Sequence, residues 1–263
     1  MNELKFITTG DGARIAYRID GDASKPVLVL SNSIATNLHM WDGQVEELSK
    51  YFRVLRFDTR GDGVSSAPLG AYSLDRLGRD VIELLDALGI ERAHFLGLSL
   101  GGIIGQWLGV RAPERIDRLI LSNTSSYLGP AHLFDERIAA VAQASDNAEI
   151  AEMFLQNWFP AQMLEANGPA VEKFRAMLLA ISRQGLAGLY AAVRDTDLRR
   201  IIALISRPTL VIAGQYDTVT AASHSELIAE AVPGAKLVTL PSVHMPNIEF
   251  PAEFMAAVLG FLR

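Results

Sequence analysis

Residues 93–105 read AHFLGLSLGGIIG, a run that passes from strand to helix within one turn. Ala93 to Leu98 is a short apolar segment of the kind that forms a strand buried on both faces. The helical segment GGIIGQWLGVRA follows at once. Between them, Gly97-Leu98-Ser99-Leu100-Gly101 matches G-x-S-x-G. As a bare string this pentapeptide is weak evidence, but its setting is specific. A strand before and a helix after give the sharp turn on which a serine stands exposed above a sheet, with glycines leaving room for close strand–helix approach. The plain alternative is a glycine-rich turn whose serine merely caps the helix.

On either side the pattern repeats. Val27 to Leu30, FRVLRFD at 52–58 and IDRLILSN at 116–123 read as strands, and 73–90 reads as an amphipathic helix with Leu74, Leu77, Val81, Leu84, Leu85 and Leu88 on one face. PTLVIAG at 208–214, a helix over 221–231, the strand AKLVTL at 235–240 and a helix over 251–262 complete the series. Strand–helix alternation predicts a mostly parallel twisted sheet with flanking helices, an α/β fold. At the front, residues 3–9 and 13–19 flank Gly10-Asp11-Gly12 and predict an antiparallel hairpin. Between 130 and 204 the strand signal gives way to helical periodicity. The expected organisation is a core of 1–129 and 205–263 with a helical cap of 130–204 over the ligand-binding edge of the sheet. A separate helical interaction module is the alternative for that insert.

Composition narrows the function. The chain has 263 residues, 49% hydrophobic and 21% charged, enough for a full core without staples. Lys plus Arg is 24 against 30 for Asp plus Glu, a net charge of −6, which argues against a nucleic-acid footprint. With no cysteine, disulfides, thiolate metal sites and cysteine nucleophiles are excluded. No apolar run approaches the roughly 20 residues of a membrane span, and the charged start lacks a signal-peptide core. A cytoplasmic protein without membrane or nucleic-acid partners is expected. HExxH, EF-hand and P-loop patterns are missing from the sequence, so no metal or cofactor is expected.

A serine nucleophile needs a histidine base oriented by an acid, and on this kind of turn the acid and then the histidine follow in the chain. His244 lies just past the last predicted strand and is the expected base. His39, in the loop after Val27–Leu30, is its competitor. Asp217, in AGQYDTVT, is the expected acid, with a helix N-cap role as its structural alternative. The end of 116–123 offers Asn123 instead of an acid. The oxyanion formed at a tetrahedral centre needs N–H donors. Leu100, after the nucleophile, supplies one, and alignment of the loop Ser31 to Thr36 selects Ile34 for the other. Ser33, Arg60, Trp158 and Arg183 are candidate substrate contacts by location. The aromatic residues and methionines of the insert, Met153, Phe154, Trp158, Phe159 and Met163 among them, are expected to be mostly core.

These residues together resemble the α/β-hydrolase fold, and within it the bacterial 3-oxoadipate enol-lactonases. The segments VLSNSIATNLHMW, FRVLRFDTRGDG, HFLGLSLGG, APERIDRLILSNT, NWFP, AAVRDTDLR and HMPNIE are all similar to that family's. The resemblance implies Ser99 as nucleophile, Asp217 as orienting acid and His244 as base, acting on a small anionic lactone or ester through an acyl-enzyme. A carboxylesterase or a C–C bond hydrolase for another aromatic-degradation product is the alternative. The chain departs from the family's pattern at Asp62, where Arg60-Gly61-Asp62-Gly63 replaces RGHG, and at Ala35 in Ser33-Ile34-Ala35-Thr36, which replaces SLGT. In the cap, Ser182 to Ala187, including Arg183, replaces a more acidic stretch with an aromatic. These departures bear on the choice of acyl group.

Overall fold

The computed structural model describes residues 3–263. The described residues form an eight-stranded sheet: β1 (Lys5–Thr8), β2 (Arg14–Asp20), β3 (Val27–Ser31), β4 (Arg53–Phe57), β5 (Ala93–Leu98), β6 (Ile116–Ser122), β7 (Thr209–Gly214) and β8 (Lys236–Leu240), in the order β1-β2-β4-β3-β5-β6-β7-β8. β1 and β2 form the expected antiparallel hairpin, and β2 also pairs antiparallel with β4. From β4 to β8 every pairing is parallel. The mixed sheet follows the apolar pattern read from the sequence. β7 is buried at all six positions, as a strand covered on both faces must be, whereas edge strands β1 and β8 are mostly exposed.

The helices between strands are α1 (Asp42–Ser49), α2 (Leu74–Ala87), α3 (Leu100–Arg111), α9 (Ala222–Ala231), α10 (Pro246–Glu249) and α11 (Pro251–Leu262). α2 packs against α3, and α1 against α11. Strand order reverses at β3: the chain moves outward to β4, then returns to place β5 on the other side of β3. Loops leaving β3 and β5 therefore diverge, opening a crevice at their C-terminal ends. Between β6 and β7 the described residues form helices α4 (Ala131–Gln143), α5 (Ala148–Trp158), α6 (Ala161–Ala166), α7 (Pro169–Leu179) and α8 (Arg183–Arg194), with a short 3-10 turn at Ile202–Leu204. α4 packs on α8 and α5 on α7. An aromatic cluster fills this helical region, with Phe154 and Trp158 rings 4.8 Å apart and Phe159 and Phe174 rings 5.2 Å apart. Among the described residues no single helix is long and apolar enough to cross a membrane.

A buried ionic cluster ties the first turn of the sheet to α2. Arg60 is 3% exposed; its Nε and Nη2 donate to Asp80 at 2.6 and 2.7 Å, and its Nη1 to Asp11 at 2.8 Å. Arg76 donates to the same Asp80 at 3.1 Å, and no cation other than Arg60 and Arg76 is paired with it among the described residues. Removing Arg60 leaves a carboxylate that is itself 3% exposed with Arg76 as its one paired cation. Arg60→Ala and Asp80→Asn are each expected to cost on the order of 3–5 kcal/mol in urea unfolding, and the double variant less than the sum of the singles. Simple additivity would show the pair to be uncoupled.

Candidate active site

Ser99 stands between the last residue of β5 and the first of α3, with φ 58° and ψ −116°. A positive φ at a non-glycine residue costs on the order of 1–3 kcal/mol and persists only where its surroundings impose it. Here they do. The Ser99 N–H donates to the Ser122 carbonyl of β6 at 3.0 Å, and Thr124 Oγ1 donates to the Ser99 carbonyl at 2.7 Å. The Gly101 N–H donates to the Asn32 carbonyl beyond β3, also at 3.0 Å. A Cβ on Gly97 would collide with the backbone of Gly101, and one on Gly101 with the Ser31 carbonyl. Both glycines of the pentapeptide are thus required by close approach. Ala35 (φ 60°) and Asn123 (φ 44°) also have positive φ, so strain gathers beyond the C-terminal ends of three adjacent strands.

His244 is fully buried in the loop after β8, and its Nδ1 lies 2.8 Å from Asp217 Oδ2. This contact makes Nδ1 the donor to the Asp217 carboxylate. Asp217, in the loop after β7, is held from every side. Oδ1 accepts the N–H groups of Val219 (2.8 Å) and Thr220 (3.0 Å), and Oδ2 accepts Thr220 Oγ1 (2.8 Å) and Asn123 Nδ2 (2.9 Å) besides His244. Asp217 is not the N-cap of α9, which is Ala221 with no side-chain cap bond; its carboxylate organises its own loop and pairs with His244. Burial alone would raise the Asp217 pKa; the charge and hydrogen bond of His244, then the Thr220 N–H and the Asn123 amide, draw it down to about 2. The carboxylate is ionised at neutral pH. Sequence reasoning passed over Asn123 because it is not an acid, yet its amide also donates to the Val243 carbonyl at 3.0 Å, so it anchors acid and histidine loop together.

Ser99 lines a cavity of about 190 Å³ whose walls include Ile34, Leu100, Trp158 and Tyr190. Leu100 opens α3, so its N–H has no acceptor within the helix. Ile34 lies near the tightly bound Asn32, whose side-chain Nδ2 donates to the Phe57 carbonyl and whose side-chain Oδ1 accepts the Trp41 indole N–H. Trp158 stacks on His244, ring centroids 6.4 Å apart and 18° from parallel, and so bridges the cavity wall to the histidine. His244 Nε2 is buried and makes no hydrogen bond, so the Ser99–His244 link is not closed in this structure. Catalytic hydrogen bonds are commonly loose without substrate.

The other sequence candidates fall elsewhere. Ser33 is buried beside Ile34, with its hydroxyl unpartnered, but does not line the cavity. Arg60 belongs to the ionic cluster with Asp80, and Arg183 donates to the Ser145 carbonyl at 3.2 Å in a separate surface groove. Neither lines the cavity, because each guanidinium is engaged away from it. His39 pairs with Asp42 at 3.0 Å, and His94 meets the Phe52 ring edge at 5.7 Å. Of the insert residues, Phe154, Trp158 and Phe159 are buried as expected, while Met153 is 39% exposed. Arg137 was missed: it lines the cavity, one helical turn after the buried Phe134, a spacing that could have flagged it. Among the described residues, no group of three or more His, Cys, Asp or Glu is placed to hold a metal ion.

Beside this site lies a buried acid pair. Asp58 accepts the N–H groups of Leu38 (2.7 Å) and Val64 (2.9 Å). Burial raises its pKa, and those two donors oppose the rise. Asp62 is 1% exposed, and neither of its oxygens has a hydrogen-bond partner. Burial first, and then the Asp58 charge, push its pKa well above the usual carboxylate range, against a partial opposing pull from the Ala35 N–H. Of the two acids, Asp62 is the more strongly raised.

The alpha/beta hydrolase fold family profile matches residues 26–251. Over 260 residues the chain is 37% identical to 3-oxoadipate enol-lactonase 2 of Acinetobacter baylyi, covering 99% of this chain and 97% of that protein. The crystal structure of a hydrolase from Pseudomonas aeruginosa PA01 superposes with a TM-score of 0.98 at 65% identity, covering 99% of this chain and 98% of that one. The enol-lactonase from Burkholderia xenovorans LB400 superposes with a TM-score of 0.95 at 36% identity, covering 98% and 99%.

The acid pair generates a test of its own. An acid whose folded pKa is raised contributes stability fully below its unfolded pKa and loses it as pH rises through the folded value. Asp62→Asn removes that titration. In thermal unfolding from pH 4 to pH 8, the Asn variant should gain on the parent steadily as pH rises. A constant difference across that range would mean that Asp62 is ionised in the fold.

Proposed function

Because the chain belongs to the alpha/beta hydrolase fold family and is a serine hydrolase of small esters or lactones, we propose that it opens 3-oxoadipate enol-lactone to 3-oxoadipate through an acyl-enzyme. One observation carries this reading: likeness to the enol-lactonases runs end to end, helical region included, over a chain that pairs His244 with Asp217 at 2.8 Å.

In the proposed reaction, Ser99 Oγ attacks the lactone carbonyl and gives its proton to His244 Nε2. Asp217, ionised and fixed by its donors, stabilises the imidazolium that results. The carbonyl oxygen gains negative charge and accepts the N–H groups of Ile34 and Leu100. Collapse of the tetrahedral centre breaks the ring C–O bond and expels the enol oxygen, which takes the proton back from His244. An enolate leaves readily, so this step makes modest demands on the acid. The enol tautomerises to the ketone. Water, activated by His244, then adds to the acyl carbon; its second collapse frees Ser99 and the new carboxylate.

The test follows the loss of ultraviolet absorbance of the enol-lactone, generated in place from muconolactone. Ser99→Ala and His244→Ala should each lose about five to six orders of magnitude in kcat, and Asp217→Asn about four. If the lactone persists while p-nitrophenyl acetate is cleaved in a Ser99-dependent way, the protein is a carboxylesterase with a different acyl preference. If His39→Ala abolishes turnover and His244→Ala does not, the base is His39.

A further inference from the structure

The cavity holding Ser99 has mostly apolar walls, among them Ile103, Leu128, Phe134 and Phe154, and Arg137 is the one charged residue that lines it. Arginines on the cap helices are otherwise engaged. Arg175 pairs with Glu152 and Glu172, Arg183 donates to the Ser145 carbonyl, and Arg194 pairs with Asp135 and Asp195. Arg137 has no ion pair and no hydrogen bond among the described residues. Its guanidinium instead lies over the Phe134 ring, 4.9 Å from the centroid. Stacking on a ring face holds a guanidinium by its plane and leaves its N–H edge free to meet an acceptor.

Two further observations say what that acceptor is. Tyr190, 4% exposed, lines the same cavity, and its hydroxyl makes no hydrogen bond among the described residues. Burial raises its pKa despite the opposing charge of Arg137, so the phenol remains a neutral donor. Arg137, Met153 and Tyr190 also line an outer groove bordered by α4 and α5, which places them where that groove meets the cavity. A planar cation and a neutral O–H donor, both unspent, match a carboxylate, which accepts two parallel bonds from the fork.

We infer that Arg137, assisted by Tyr190, forms a carboxylate-binding subsite at the cap end of the Ser99 cavity, selecting substrates that carry an anionic group away from the scissile carbonyl. This rests on the hydrolase reading above and extends it by naming the group that recognises the charge.

The experiment compares two esters that differ by one carboxylate, 4-nitrophenyl propionate and the 4-nitrophenyl half-ester of succinate. The parent protein should favour the half-ester in kcat/KM. Arg137→Met should shrink that preference by roughly ten- to hundredfold, the range of a charge-assisted hydrogen bond, chiefly through the half-ester's KM, and Arg137→Lys should restore part of it. Arg183→Met, outside the cavity, should leave the ratio unchanged. A ratio untouched by Arg137→Met, or a parent without preference, overturns the subsite while leaving the hydrolase reading intact. A second readout separates the two: succinate binding to Ser99→Ala, measured by calorimetry, should vanish when Arg137→Met is added. If neither ester is cleaved but this binding holds, the subsite stands and the hydrolase reading fails.

Discussion

A left-handed backbone turn at Ser99 joins the ends of three strands, and the geometry of the site follows from it. The residue cannot adopt φ 58° alone at no cost. Hydrogen bonds from Ser99 to Ser122, from Thr124 to Ser99 and from Gly101 to Asn32, each contributing about 1 kcal/mol, offset the strain. Those same bonds join β5 to the segments beyond β6 and β3. The loop that carries Ile34 is therefore positioned by the bonds that hold the serine in place. Ser99 and the loop that carries Ile34 are thus placed by one constraint.

Buried charge is distributed with a consistent logic. Arg60 is matched by Asp80 and Asp11, and Asp217 by four protein donors besides His244. Asp217 meets enough partners to stay ionised inside the protein, where an unpaired carboxylate would be costly, while burial raises the pKa of Asp80 against the pull of Arg60. Asp62 has no such partners, and burial together with the Asp58 charge pushes its pKa well above the usual carboxylate range. The contrast between Asp217 and Asp62, both aspartates in loops after strands, comes from the donors and charges around each: His244, Thr220 and Asn123 at Asp217, and the Asp58 carboxylate at Asp62.

The sheet was legible in the sequence because strands buried on both faces must be continuous apolar runs, and β5, β6 and β7 are. Ser99 and Asp217 were legible as candidates because each follows such a run, His244 because it lies just past the last strand, and the structure brings Asp217 and His244 into contact. Helix α1 was not read from the sequence, since its short DGQVEELS segment has little amphipathic contrast and is fixed by packing on α11. Asn123 and Arg137 escaped for a different reason. Asn123 matters through the two loops it bridges, and Arg137 through the partner it lacks, and neither relation has a sequence period. Arg60 shows the reverse error: an arginine in the right loop can be wholly consumed by neighbours brought in from far along the chain.

The two tasks of the site are assigned to different parts of the fold. Ser99, Ile34, Leu100, Asp217 and His244 all come from loops or helix starts at the sheet edge, while Arg137, Trp158 and Tyr190 come from the helices between β6 and β7. Sheet-edge loops are braced by strand hydrogen bonds and suit groups whose placement must hold to a fraction of an ångström. Helices packed through an aromatic cluster can change their lining side chains without disturbing those loops. Trp158 is the exception, because its ring touches both regions: it lines the cavity and stacks on His244. A substitution at Trp158 therefore alters the cavity wall and the packing of the imidazole together.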